Sequence, residues 1–142
     1  MHGKLEDELN HPIFGYGDEH EKEYIEFEHH NINELFHNIK SFEYFKTSNY
    51  SNLIDFIDGD EFQVYVYGHS LGISDRTLFK EIFENTNCLS IKIFYYQKDE
   101  NTNDYTEKTY NISRHFTNKI DMRNKVVSYD LSEFLPQNII KK

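Results

Sequence analysis

Turn-makers and cross-linkers are scarce in this chain of 142 residues: two prolines, six glycines, one cysteine and no tryptophan. The lone Cys88 cannot close an intrachain disulfide, so the sequence gives no sign of an oxidising compartment. No apolar run approaches the roughly 20 residues needed to span a bilayer. Met1-His2-Gly3-Lys4 lacks the apolar core of a secretory leader, so a cytoplasmic, non-membrane protein is expected. Without a Ser/Pro/Gly-rich linker, an internal repeat or a low-complexity stretch, residues 1–142 read as a single domain.

Positive charge is also short. Lys and Arg number 15 against 25 Asp and Glu, a net charge of -10 that repels a phosphate backbone and anionic lipid alike. Nucleic acid is therefore not an expected partner. Residues 1–60 hold 14 acids against 4 bases, whereas residues 61–142 hold 11 of each, so the first part carries all the excess. What the chain has in abundance is aromatic surface: 12 Phe and 11 Tyr supply large buried areas per residue and argue for a packed core.

Gln63-Val64-Tyr65-Val66-Tyr67 and Ser90-Ile91-Lys92-Ile93-Phe94-Tyr95-Tyr96 are short and rich in β-branched and aromatic residues, which predicts two strands. Lys125-Val126-Val127-Ser128-Tyr129 predicts a third. Between the first two, Leu78, Phe79, Ile82 and Phe83 form a helical stripe behind Ser74 as N-cap. Between the second and third, Tyr105, Thr109, Ile112, Phe116 and Ile120 recur at helical spacing after a polar Asn101-Thr102-Asn103-Asp104 stretch. Strands alternating with helices imply a parallel sheet with right-handed crossovers, and ligands then bind beyond the strands' carboxyl ends.

Upstream, Ile25, Ile32, Leu35, Phe36, Ile39 and Phe42 make one helical stripe, and Tyr50, Leu53, Ile54 and Ile57 make another that Gly59 ends. The expected fold is α/β, with a helical acidic segment over residues 1–60 and a β-α-β-α-β unit over residues 61–136. A sheet of three strands has two edges to protect, which suggests part of a larger α/β assembly.

The stretch Tyr67-Gly68-His69-Ser70-Leu71-Gly72-Ile73-Ser74-Asp75 leaves the first strand at the ligand-binding rim. Gly68-His69-Ser70-Leu71-Gly72 matches the G-x-S-x-G nucleophile elbow, and Asp99 or Asp104 followed by His115 would complete a serine hydrolase triad in chain order. Against that reading, the helix starts beyond a separate cap at Ser74, His115 lies within a predicted helix, and no Gly-rich oxyanion stretch precedes the strand.

The six residues from Gly68 to Ile73 resemble the G-x-S-L-x-V segment that lines the ribose pocket in the sirtuin fold. His2-Gly3 is similar to the His-Gly dipeptide carrying the sirtuin catalytic histidine, and Asn10 to Glu19 resembles the strand and turn that follow it. Taken in order, His2-Gly3, Ile13 to Asp18 and Gly68 to Asp75 resemble the C-terminal part of the bacteriophage abortive-infection AbiH family, from about His2 to Pro136. The resemblance implies anti-phage defence, a partial Rossmann-like, sirtuin-like three-layer fold, and NAD as cofactor.

It further implies that His2 is a catalytic base on a ribose hydroxyl, and that Gly15, Asp18, Gly68, His69, Ser70 and Asp75 bind the cofactor. Family members begin with a Gly-rich phosphate cradle. This chain shows none, so NAD cleavage is expected only in a complete domain, with a separate N-terminal half or a second copy as partner.

Each of these residues also has a plainer reading. His2 is a terminal residue, Ser70 can sit in a structural turn, and Gly15 to Glu19 can form an ordinary turn. Asp75 favours ribose hydroxyls or simple capping over phosphate, because its charge sits where a phosphate would lie. Strand alternation turns His69 away from Ser70, toward a packed or surface position. His20, His29, His30 and His37 lack metal-ligand spacing, so no metal is expected, and Cys88 reads as a small core residue. An alternative to the enzyme is a binding or assembly module that completes another α/β half.

Overall fold

The computed structural model describes residues 5–6, 12–13, 15, 22–30, 33–37 and 39–136. Three parallel strands lie in the order β1-β2-β3, with β1 at Phe62–Tyr67, β2 at Cys88–Tyr95 and β3 at Glu133–Phe134. α4 (Arg76–Glu84) crosses from β1 to β2, and α5 (Tyr105–Arg114) and α6 (Lys119–Lys125) lead on to β3. Upstream, α1 (Lys22–His30), α2 (Lys40–Glu43) and α3 (Asn49–Gly59) make the described part of the acidic segment mostly helical. None of the described helices is long and apolar enough to cross a membrane.

Alternation along β1 and β2 decides which way the sheet faces. Val66, Ile91, Ile93 and Tyr95 turn to one side and meet Phe83 of α4, Ile112 of α5 and Phe116 just beyond it. Ile91, Ile93 and Ile112 are fully buried, each contributing roughly 1.5–3 kcal/mol of apolar burial. On the other side Tyr65 and Tyr67 of β1 are 59% and 60% exposed. The three-layer expectation is thus met only in part: among the described residues the crossover helices cover a single face of the sheet.

Three local expectations are corrected. The stripe from Tyr105 to Ile120 is not one helix, because the chain turns at His115 to Asn118 and restarts where the Asn118 side chain accepts from Ile120 N at 2.9 Å. Ile120 accordingly points to solvent, 61% exposed. Lys125–Tyr129 is not a strand: only Val126 bridges to Ile91. There Ser128 bonds Asp130 and its carbonyl accepts from Leu131 N, so a short turn displaces the pairing to Glu133–Phe134. Ser74 does not cap α4. A turn of 3-10 helix over Ile73–Asp75 precedes the helix, whose N-cap is Asp75.

Candidate functional site

The segment Gly68–Asp75 leaves the carboxyl end of β1, where the parallel topology directs attention. Two of its residues have positive φ, Gly68 at 70° and Leu71 at 58°. A Cβ on Gly68 would meet nothing within 4 Å, so the backbone conformation and not crowding calls for glycine there. Leu71 tolerates the left-handed conformation because its side chain is locked in the core, 2% exposed.

A single face of α5 and its C-cap holds the loop. Lys108 Nζ donates to His69 O at 2.7 Å, Asn111 Nδ2 donates to Ser70 O at 2.8 Å, and His115 Nε2 lies 3.0 Å from Leu71 O. Spacing of i, i+3 and i+7 places these three side chains in one row, one for each successive carbonyl. Lys108 and His115 are buried, and Lys108 also pairs with Asp104, 3.3 Å away at the start of the same helix. A strand-to-helix loop that could otherwise fray is therefore held at three consecutive carbonyls.

With the carbonyls engaged, the exposed side chains of the loop are left for chemistry. Ser70 and Ser74 are exposed, and neither hydroxyl has a hydrogen-bond partner among the described residues. Both lie over Gly72, whose added Cβ would stand 3.8 Å from Ser70 Oγ and 3.9 Å from Ser74 Oγ. His69 accepts Leu71 N on Nδ1 at 2.9 Å and sets its ring edge against Phe79, with centroids 5.1 Å apart. Asp75 pairs with Lys40, both side chains 12% exposed, and so ties α2 to the start of α4.

Of the cofactor residues expected from the sequence, the structure brings Gly68, His69, Ser70 and Asp75 into one loop. Gly15 is exposed, and no hydrogen bond joins it to that loop among the described residues. His2 and Asp18 lie outside the described residues. Sequence reasoning missed Ser74 as a second hydroxyl, and it missed the bracing row Lys108, Asn111 and His115. The row's i, i+3, i+7 spacing in an otherwise polar helix was its signal.

The nucleophile-elbow geometry is not formed. The positive φ falls on Leu71 and not on Ser70, and His115 is directed at the Leu71 carbonyl. Asp99 closes its own turn onto Asn101 and Thr102, while Asp104 takes Tyr96 N and Lys108, so neither carboxylate orients a histidine toward Ser70. Among the described residues no group of three or more His, Cys, Asp or Glu could hold a metal ion. A cavity of about 290 Å³ is lined by Tyr24, Phe42, Tyr44, Phe45, Tyr50 and Thr77, among others, and by none of Gly68–Asp75.

No curated protein and no solved structure matches the chain significantly. The family model described as bacteriophage abortive infection AbiH does match it, over residues 1–97, a span that takes in the helical segment, β1, the loop and β2. With well over half its length matched, and with the Gly68–Asp75 loop inside the matched span, this chain belongs to the bacteriophage abortive infection AbiH family.

Proposed function

We propose that this abortive-infection protein uses the loop after β1 to contact the ribose of an NAD-class nucleotide. Ser70 and Ser74 supply hydroxyls to the sugar diol, and the Gly68 and His69 backbone lies alongside. The observation that carries the reading is the row of Lys108, Asn111 and His115 on three consecutive loop carbonyls, because a clamped loop loses little entropy when it binds. Polar, uncharged hydroxyls at the rim of a parallel sheet suit a sugar better than a phosphate. The pyrophosphate is then held by a Gly-rich segment of another half, as the sirtuin-like resemblance implies, and hydrolysis of the glycosidic bond would need His2 as base.

Titrating the isotope-labelled chain with NAD, and separately with ADP-ribose, tests this directly. Amide shifts should concentrate at His69, Ser70 and Gly72, and Ser70→Ala and Ser74→Ala should each weaken binding about threefold to tenfold. An absence of shifts in the loop at millimolar nucleotide refutes the reading. In cells challenged with phage, Ser70→Ala should then lose protection while the protein level is unchanged.

A further inference from the structure

β1 is an outer strand: β2 lies along one of its edges, and no described residue pairs with the other. Such edges are ordinarily blunted by charge, proline or a very short strand. Phe62-Gln63-Val64-Tyr65-Val66-Tyr67 has no charged residue and no proline. Its only irregularity is the register shift at Phe62/Gln63, which leaves a regular ladder from Gln63 to Tyr67. Tyr65 and Tyr67 stand on the sheet face away from the helices, against Phe94, with ring centroids 6.1 and 5.5 Å away.

We propose that the free edge of β1 pairs with β1 of a second copy of this chain, antiparallel about a two-fold axis at Tyr65. A two-fold axis perpendicular to the sheet brings identical edges together antiparallel and keeps the helices of both copies on one face. Side-chain alternation then fixes the register. Tyr65 opposes Tyr65 of the second copy, Gln63 opposes Tyr67, and Val64 opposes Val66.

Aromatic and β-branched pairs of this kind favour pairing, and no like charges face each other along the ladder. Charge decides the direction. Asp60 and Glu61 enter the strand, so antiparallel pairing lays the acidic entry of each copy beside the Gly68–Ser70 end of the other, which holds no acid. Parallel pairing would set acid against acid. Glu61 of one copy thereby becomes a neighbour of the Gly68–Gly72 loop of the other.

Light scattering on the purified chain should give twice the 17.1 kDa mass at high micromolar concentration. Tyr65→Cys should form a disulfide-linked dimer under mild oxidation, because directly opposed antiparallel positions lie within disulfide reach. Gln63→Cys should not link to itself, but should link to Tyr67→Cys when the two variants are mixed. The native Cys88 is buried and gives no background. Tyr65→Lys, at an exposed position, should keep the fold and raise the concentration midpoint of dimerisation about tenfold. A mass of one chain at all concentrations overturns the proposal. Self-linking of Gln63→Cys as fast as that of Tyr65→Cys does so too, as does a dimer that Tyr65→Lys leaves intact. Nucleotide shifts at Ser70 measured in Tyr65→Lys keep this question separate from ligand binding.

Discussion

Lys108→Met is the sharpest test of the clamp under the β1–α4 loop. The side chain of Lys108 is 8% exposed and serves two acceptors, the His69 carbonyl at 2.7 Å and the Asp104 carboxylate at 3.3 Å. Methionine keeps most of the buried methylene contact, so the loss is electrostatic. A hydrogen bond from a charged donor contributes about 1.5–3 kcal/mol, and leaving a shielded carboxylate without its cation adds to that. Asp104 is only 17% exposed but keeps the Tyr96 N–H at 2.6 Å, which limits the second loss. The expected destabilisation is about 3 kcal/mol, or roughly 6–12 °C in melting temperature for a chain of this size. Urea unfolding followed by far-ultraviolet dichroism measures it. Adding Asp104→Asn to Lys108→Met should recover part of the loss, since no buried charge is then left unpaired. If Lys108→Met unfolds within about 0.5 kcal/mol of wild type, or the double variant is no better than the single, the buried clamp does not hold the loop.

The backbone of the loop makes a second prediction: Gly68→Ala, at φ 70° with open space around the Cβ, should cost about 1 kcal/mol by urea unfolding, whereas Leu71→Gly should cost about 2–3 kcal/mol because lost burial exceeds relieved strain. Glu84 is subject to opposing effects. Burial raises its pKa, but bonds from Lys80 and Thr117 N and the Lys80 charge outweigh that and leave it lowered from 4.5. A depressed folded pKa gives stability that is present above the unfolded value and is lost as pH falls through the folded one, so Glu84→Gln should flatten the acid side of the stability profile below about pH 4.5. Burial pushes the Cys88 thiol up, so Ellman's reagent at pH 8 should label it only at the rate of unfolding, and fast labelling of the native chain would contradict its burial.

Much of the fold was legible in the chain. Short runs rich in Val, Ile, Tyr and Phe gave β1 and β2 to within two residues, and the stripe Leu78, Phe79, Ile82 and Phe83 gave α4, because residue type and side-chain spacing are local properties. Gly59 at the end of α3 and the Gly68–Asp75 loop at the rim were equally local, and the loop's residues carried the family resemblance that the AbiH match supports.

Only the tertiary structure could decide the rest. Whether Tyr105 to Ile120 forms one helix or two depends on Asn118 capping and on Glu84 of α4 receiving Thr117 N, a partner 33 residues away. Which segment pairs beside β2 depends on where the turn at Ser128–Ser132 returns the chain, so Glu133–Phe134 takes the place expected of Lys125–Tyr129. The role of His115 turned on the same distinction. Its place in chain order allowed a triad, but packing between Phe79 and Phe83 set its ring on the Leu71 carbonyl, 44 residues back. Residue type and spacing fix what a side chain can do, while the contacts closed across the fold fix which partner it meets.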